Sequence, residues 1–252
     1  MRILGIESSS LVASVAIVTD DVVTAEYTVN LKKTHSQTLL PMIDEMVRML
    51  EIDLHSVDAI AVSGGPGSFT GLRIGSATGK GLGMALDRPL IHVPTMDAMA
   101  YCLYGASALI CPVMDARRHQ VYTGLYRFED SFQVVKEQWA ADIHDLIEEL
   151  NQRGERVIFL GDGVPVNREI IEKEIKVPVS FPPAHANRQR AAAVAALGAV
   201  YAKQGQLETA AEHRPDYLRK SQAEREREIA ERQGEMDKLA AGIVVVEKKM
   251  GE

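Results

Sequence analysis

The apolar positions of this chain change period several times along its length, and each change marks an element. Arg2–Glu7, Val12–Thr19 and Val22–Val29 are rich in β-branched residues and predict three strands, with Asp20-Asp21 as the hairpin turn between the second and third. Over Thr34–Leu50 the period lengthens. Leu39, Met42, Ile43, Met46, Val47 and Leu50 recur at the three-and-four spacing of an amphipathic helix, so Pro41 belongs in its first turn or at a kink. Asp58–Val62 then predicts a strand, Thr70–Leu86 a helix and Pro89–Val93 another strand. Together these form a βββαβαβ unit, antiparallel at first and then parallel through helical crossovers.

A helix over Thr95–Leu103 closes this first lobe, placed at residues 1–104. In the second lobe, residues 105–219, Ala108–Met114, Val121–Phe128, Phe132–Trp139 and Val157–Leu160 read as strands. Ile143–Leu150 and the alanine-rich Asn187–Ala202 read as helices. The order resembles that of the two-lobed actin-like (ribonuclease-H-like, ASKHA) α/β folds, a likeness that fixes no function. Residues 220–252 form a separate charged tail. Its Glu228 and Arg232 favour an exposed helix, and Ile229, Met236, Leu239 and Ile243 could stripe it; a frayed end fits the same residues.

Composition narrows the classes. With 252 residues, 46% apolar and 25% charged, the chain can bury one or two cores, and no stretch approaches the roughly 20 apolar residues of a membrane span. Arg2 leads straight into a strand, without a secretion signal, so a cytoplasmic location is expected. Cys102 and Cys111 form no CxxC pair and read as reduced core thiols. A net charge of -7 argues against gripping nucleic acid unaided, since Lys32-Lys33 and Arg117-Arg118 are only small basic pairs.

The stretch Gly64-Gly65-Pro66-Gly67-Ser68-Phe69-Thr70-Gly71 joins a strand to a helix. Its glycines allow a sharp turn, Ser68 or Thr70 can cap the helix, and Gly65, Gly67 and Ser68 are candidates for an anion-binding loop as well as for a plain turn. Gly75–Gly81 has the wrong spacing for a P-loop and lies inside the predicted helix. Gly71, Gly75, Gly79 and Gly83 make one stripe along that helix, suited to packing on the protein's own sheet or on a partner helix. None of the seven histidines lies four residues from another, so spacing offers no metal site. Glu7 and Asp115 stand near strand ends, where a phosphotransferase of such a fold would keep its carboxylates.

The eleven residues Gly65–Gly75, GPGSFTGLRIG, resemble the signature of the TsaB (YeaZ) family of tRNA threonylcarbamoyladenosine biosynthesis. Ile3–Ser9, Pro89–Thr95, Met114–Tyr122 and the ending Pro215-Asp216-Tyr217-Leu218-Arg219 agree with it, so the likeness runs from Met1 to about Arg219. It implies a non-catalytic scaffold and activator of the enzyme TsaD, with TsaE as a further partner and tRNA bound only in the assembled complex. ATP and metal would belong to TsaD, whose Asn-His-x-x-x-His run corresponds here to positions where Thr95 and Met99 replace the histidines. The resemblance also implies that the two first-lobe helices pair with TsaD, or with a second copy in a homodimer. Leu39, Met42, Met46, Leu72, Gly75, Ala77, Gly79 and Met84 are the candidate contacts. An ATP-dependent phosphotransferase or ATPase of the same fold is the alternative; no peptidase motif is legible.

Overall fold

The computed structural model describes residues 1–31 and 33–219. Lys32 and the expected tail at 220–252 lie outside the described residues. Within Met1–Leu218, one compact unit, two five-stranded sheets repeat a single topology. The first runs β3-β2-β1-β4-β5, made from β1 (Arg2–Glu7), β2 (Val12–Thr19), β3 (Val22–Asn30), β4 (Ala59–Gly65) and β5 (Leu90–Pro94). The second runs β10-β9-β6-β7-β8, from β6 (Leu109–Asp115), β7 (Gln120–Phe128), β8 (Phe132–Asp142), β9 (Val157–Leu160) and β10 (Val179–Ser180). In each, the first three strands pair antiparallel and the last two join in parallel.

The helices also correspond. α1 (His35–Leu50) and α4 (Ile143–Arg153) follow the third strands, while α2 (Phe69–Leu86) and α5 (Gly163–Glu174) form the parallel crossovers. The sequence pattern missed α5, because Gly161, Gly163 and Pro165 look like a loop. Pro165 falls in the helix's first turn, where its missing N–H costs no intrahelical bond. Pro41, by contrast, is the seventh residue of α1, inside the helix and past the first turn that was one of its two expected places.

The last helix of each repeat leaves its own lobe. α3 (Thr95–Tyr101) places Met96, Met99 and Ala100 in a core with Ile110, Met114, Tyr126 and Leu160 of the second lobe. α6 (Ala191–Lys203) packs Val194, Ala195 and Leu197 against Ile3, Ala61, Ile91 and Val93 of the first sheet. Although α6 follows the second sheet in sequence, its contacts lie on the first. Gly5 permits this, since a Cβ there would strike the Ala191 carbonyl and the Ala195 side chain. The helix has no side-chain cap of its own. Instead Ser14 Oγ accepts the Ala191 N–H and Glu26 Oε1 the Ala192 N–H, both at 3.1 Å, and Glu26 also pairs with Arg190. Among the described residues no helix is long and apolar enough to cross a membrane.

Candidate functional site

The glycine-rich turn is shaped by the protein's own backbone. Gly65, at φ +117 and followed by a cis Pro66, sits so close to the Asp216 carbonyl that any side chain would collide with it. The Asp216 N–H donates to the Gly64 carbonyl at 2.7 Å. Gly67 lies equally close to Ser9, whose carbonyl accepts the Ser68 N–H at 2.6 Å. Ser68 caps α2 by accepting from the Gly71 N–H at 3.3 Å, and Ser8 Oγ donates to the Gly71 carbonyl at 2.9 Å. Of the expected anion loop at Gly65, Gly67 and Ser68, the two glycines have the space for a side chain taken by Asp216 and Ser9, and Ser68 serves as the helix cap.

Five of the eight expected partner contacts lie buried within this chain's own fold. Leu39, Met46 and Leu72 are fully buried core residues. A Cβ on Gly75 would strike Ser8 Oγ, and one on Gly79 would stand 2.6 Å from Val62 Cγ2, so both glycines seat α2 on the sheet. Met42 is half-buried, while Ala77 and Met84 are exposed, Met84 at 74%. The sequence reading missed Leu40, 51% exposed on α1, and Gly81, where a Cβ would meet nothing within 4 Å. Gly81 lies four residues beyond Ala77 and three before Met84, so the open face of α2 carries Ala77, Gly81 and Met84 together.

Glu7 ends β1 fully buried, with Oε1 accepting both the N–H and the hydroxyl of Ser9 at 2.6 Å. Burial raises its pKa above the ordinary glutamate value, against those Ser9 bonds, and the Asp162 charge pushes the same way. Asp115 is exposed and accepts from the Arg117 N–H at 2.8 Å. Thr95 Oγ1 bonds Ser63 Oγ at 2.9 Å and accepts the Gly65 N–H at 3.2 Å, whereas Met99 is a core side chain. At these two positions a hydroxyl holds the end of β4 and a thioether fills the interlobe core.

A second constellation gathers where residues 206–216 return along β5. Glu208 exchanges both backbone hydrogen bonds with Leu90, at 2.8 and 3.0 Å, and Lys80 Nζ donates to the His213 carbonyl at 3.1 Å. His213 Nδ1 lies 2.5 Å from Glu208 Oε1, and His92 Nε2 lies 3.0 Å from Asp216 Oδ2. One donor atom each from His92, Glu208 and His213 falls within 4.8 Å of the others. Spacing in the sequence offered no metal site, but folding brings two imidazoles and a carboxylate together from β5 and a loop more than a hundred residues away. Burial lowers the His213 pKa despite Glu208; for His92, burial is outweighed by the Asp216 hydrogen bond and charge, and the pKa rises. A neighbouring cleft of ≈ 470 Å³ is lined by His92, Asp97, Tyr201 and Glu208 among others. In it Asp97 accepts from the hydroxyls of Tyr126 at 2.8 Å and Tyr201 at 2.7 Å.

Two lobes of one repeated mixed topology, with α3 and α6 packed between their sheets, define an actin-like α/β protein. The family described as TsaD, tRNA N6-adenosine threonylcarbamoyltransferase, matches residues 23–227. The tRNA threonylcarbamoyladenosine biosynthesis protein TsaB of Bacillus subtilis is 34% identical over 228 residues, 89% of this chain and 96% of that protein. TsaB of Escherichia coli is 34% identical over 134 residues, 52% of this chain and 57% of that protein. The solved structure of YeaZ from Pseudomonas aeruginosa superposes with a TM-score of 0.72 at 25% identity, covering 86% of this chain and 99% of that one. Within the wider group, this chain belongs to the TsaB (YeaZ) family.

Proposed function

We propose that this chain acts in tRNA threonylcarbamoyladenosine biosynthesis as the non-catalytic partner of TsaD, pairing with it through α1 and α2. The relatives' names support the pathway. Thr95 and Met99, tied to Ser63 and to the interlobe core, support leaving the transfer chemistry, its ATP and its metal to TsaD. The observation that carries the pairing is the open face of α2, where Ala77 and Gly81 let another backbone approach and Met84, with Leu40 of α1, adds apolar area. In this reading the chain holds TsaD in a competent arrangement, and TsaE and tRNA join the assembled complex. Positioning of this kind raises a rate without supplying a reacting group. An isolated chain uses the same face for a homodimer.

Sedimentation with purified TsaD tests the proposal. Ala77→Glu with Met84→Glu places charge on two exposed positions, and should abolish the TsaD complex and the homodimer while circular dichroism stays unchanged. Full TsaD binding by this variant, or formation of the homodimer and the TsaD complex on one chain at the same time, would refute the shared surface. Threonylcarbamoylation of tRNA by the purified chain without partners would refute the non-catalytic role.

A further inference from the structure

The group formed by His92, Glu208 and His213 begins three residues before Thr95 but does no work in the pairing just proposed. His92 stands on β5; Glu208 and His213 come from the loop that returns along that strand after α6. The loop is held before any ligand arrives, by the paired Leu90–Glu208 backbone, by Lys80 on the His213 carbonyl and by Asp216 on the Gly64 carbonyl. His213 is only 1% exposed, and its Nε2 has no hydrogen-bond partner. In folded proteins a buried imidazole nitrogen is answered by a protein group, an ordered water or an ion, and no described protein group answers this one.

We propose that His92, Glu208 and His213 form a binding site for a divalent transition metal of the zinc class, which fastens the returning loop to β5. Two imidazoles and one carboxylate are a recurrent donor set for zinc, and two of the three residues, His92 and Glu208, also line the cleft. The donor atoms lie within 4.8 Å of one another, with His213 Nδ1 at 2.5 Å from Glu208 Oε1, so the three side chains must readjust to reach ordinary zinc distances around a common ion. Asp216, on Nε2 of His92, is the kind of outer carboxylate that fixes the orientation of a metal-bound histidine. Lys80, whose ammonium donates to the Ala211 and His213 carbonyls, keeps its positive charge beside the group and opposes a cation there, a cost the ligands must outweigh. The inference replaces the expectation from histidine spacing that the chain holds no metal of its own.

The test uses the full-length chain without a histidine tag, stripped with a chelator and titrated with Zn²⁺ by calorimetry and with Co²⁺ by absorption spectroscopy. We expect about one ion per chain, the intense visible bands of a low-symmetry cobalt site, and a melting temperature that rises with zinc. Glu208→Gln, which keeps the shape, and His213→Asn should each weaken zinc binding on the order of 10- to 100-fold or more. Their circular dichroism should match the parent's. If His213→Asn fails to fold, Glu208→Gln and His92→Asn at the half-exposed position give the same reading. Absence of stoichiometric binding by the parent chain, or equal zinc affinity in Glu208→Gln and His92→Asn, would overturn the site.

Discussion

Glu7 shows at the residue scale what burial does to a carboxylate near a strand end. The side chain read from the sequence as a candidate metal-binding or water-positioning carboxylate is buried on Ser9 with its pKa raised. A raised folded-state pKa means that Glu7's favourable contribution is present below the ordinary value of 4.5 and is lost as pH rises through the folded value. Glu7→Gln keeps an acceptor for Ser9 and removes that loss. The melting temperature of Glu7→Gln relative to the parent should therefore increase between about pH 4.5 and pH 8, a difference that thermal melts across that range would measure. Asp97 is a second buried carboxylate, raised by burial against its bonds from Tyr201 and Tyr126. Tyr126→Phe removes one of those donors and should cost roughly 1–3 kcal/mol in denaturant unfolding. A cost near zero would mean that water replaces the hydroxyl.

On the scale of the element, α2 separates two uses of glycine that one-dimensional spacing had merged. Gly71, Gly75, Gly79 and Gly83 form the buried stripe, while Gly81 points to open space. We predict that Gly81→Ala stabilises the protein by up to about 1 kcal/mol, because it removes the backbone-entropy cost of glycine in a helix without creating a contact. Gly79→Ala should destabilise, because its Cβ would press Val62 at 2.6 Å. Urea unfolding of the two variants would give opposite signs, and matching signs would contradict the assignment of faces. The helix was legible in the sequence, from Thr70 to Leu86 against Phe69–Leu86 observed. Its faces were not, since an all-small stripe has no polarity to show which side meets the sheet. α6 was likewise visible as an alanine-rich helix, but its capping by Ser14 and Glu26 of the other lobe was not. Glu26→Ala should loosen that helix, costing ~0.5–2 kcal/mol as a lost cap does.

Across the whole molecule, the exchange of α3 and α6 means that each sheet has one face covered by its own repeat and the other by a helix of the other repeat. The lobes are therefore expected to unfold together, in a single calorimetric transition with coincident spectroscopic probes. Two separated transitions would show that the shared helices contribute little. Among the described residues the two sheets and their helices already build four hydrophobic cores, so truncation after Lys220 should shift the melting temperature by only a few degrees, about 1 kcal/mol in a chain of this size. A collapse in soluble yield would contradict that expectation.

Periodicity and turn chemistry by themselves determined most strands and helices, because period-two and period-three-to-four patterns record which side of each element meets a core. The eleven-residue loop with its flanking motifs determined the family, since so long a match in so constrained a turn leaves little room for coincidence. Only the tertiary structure decided the rest. It alone showed that Leu39, Met46 and Leu72 are core while Leu40, Gly81 and Met84 are surface, for burial depends on what packs opposite and not on hydrophobicity alone. It alone joined His92 to Glu208 and His213, because a constellation split between a strand and a distant loop leaves no spacing in the chain, and only the closing of the β5 edge by that loop makes them neighbours.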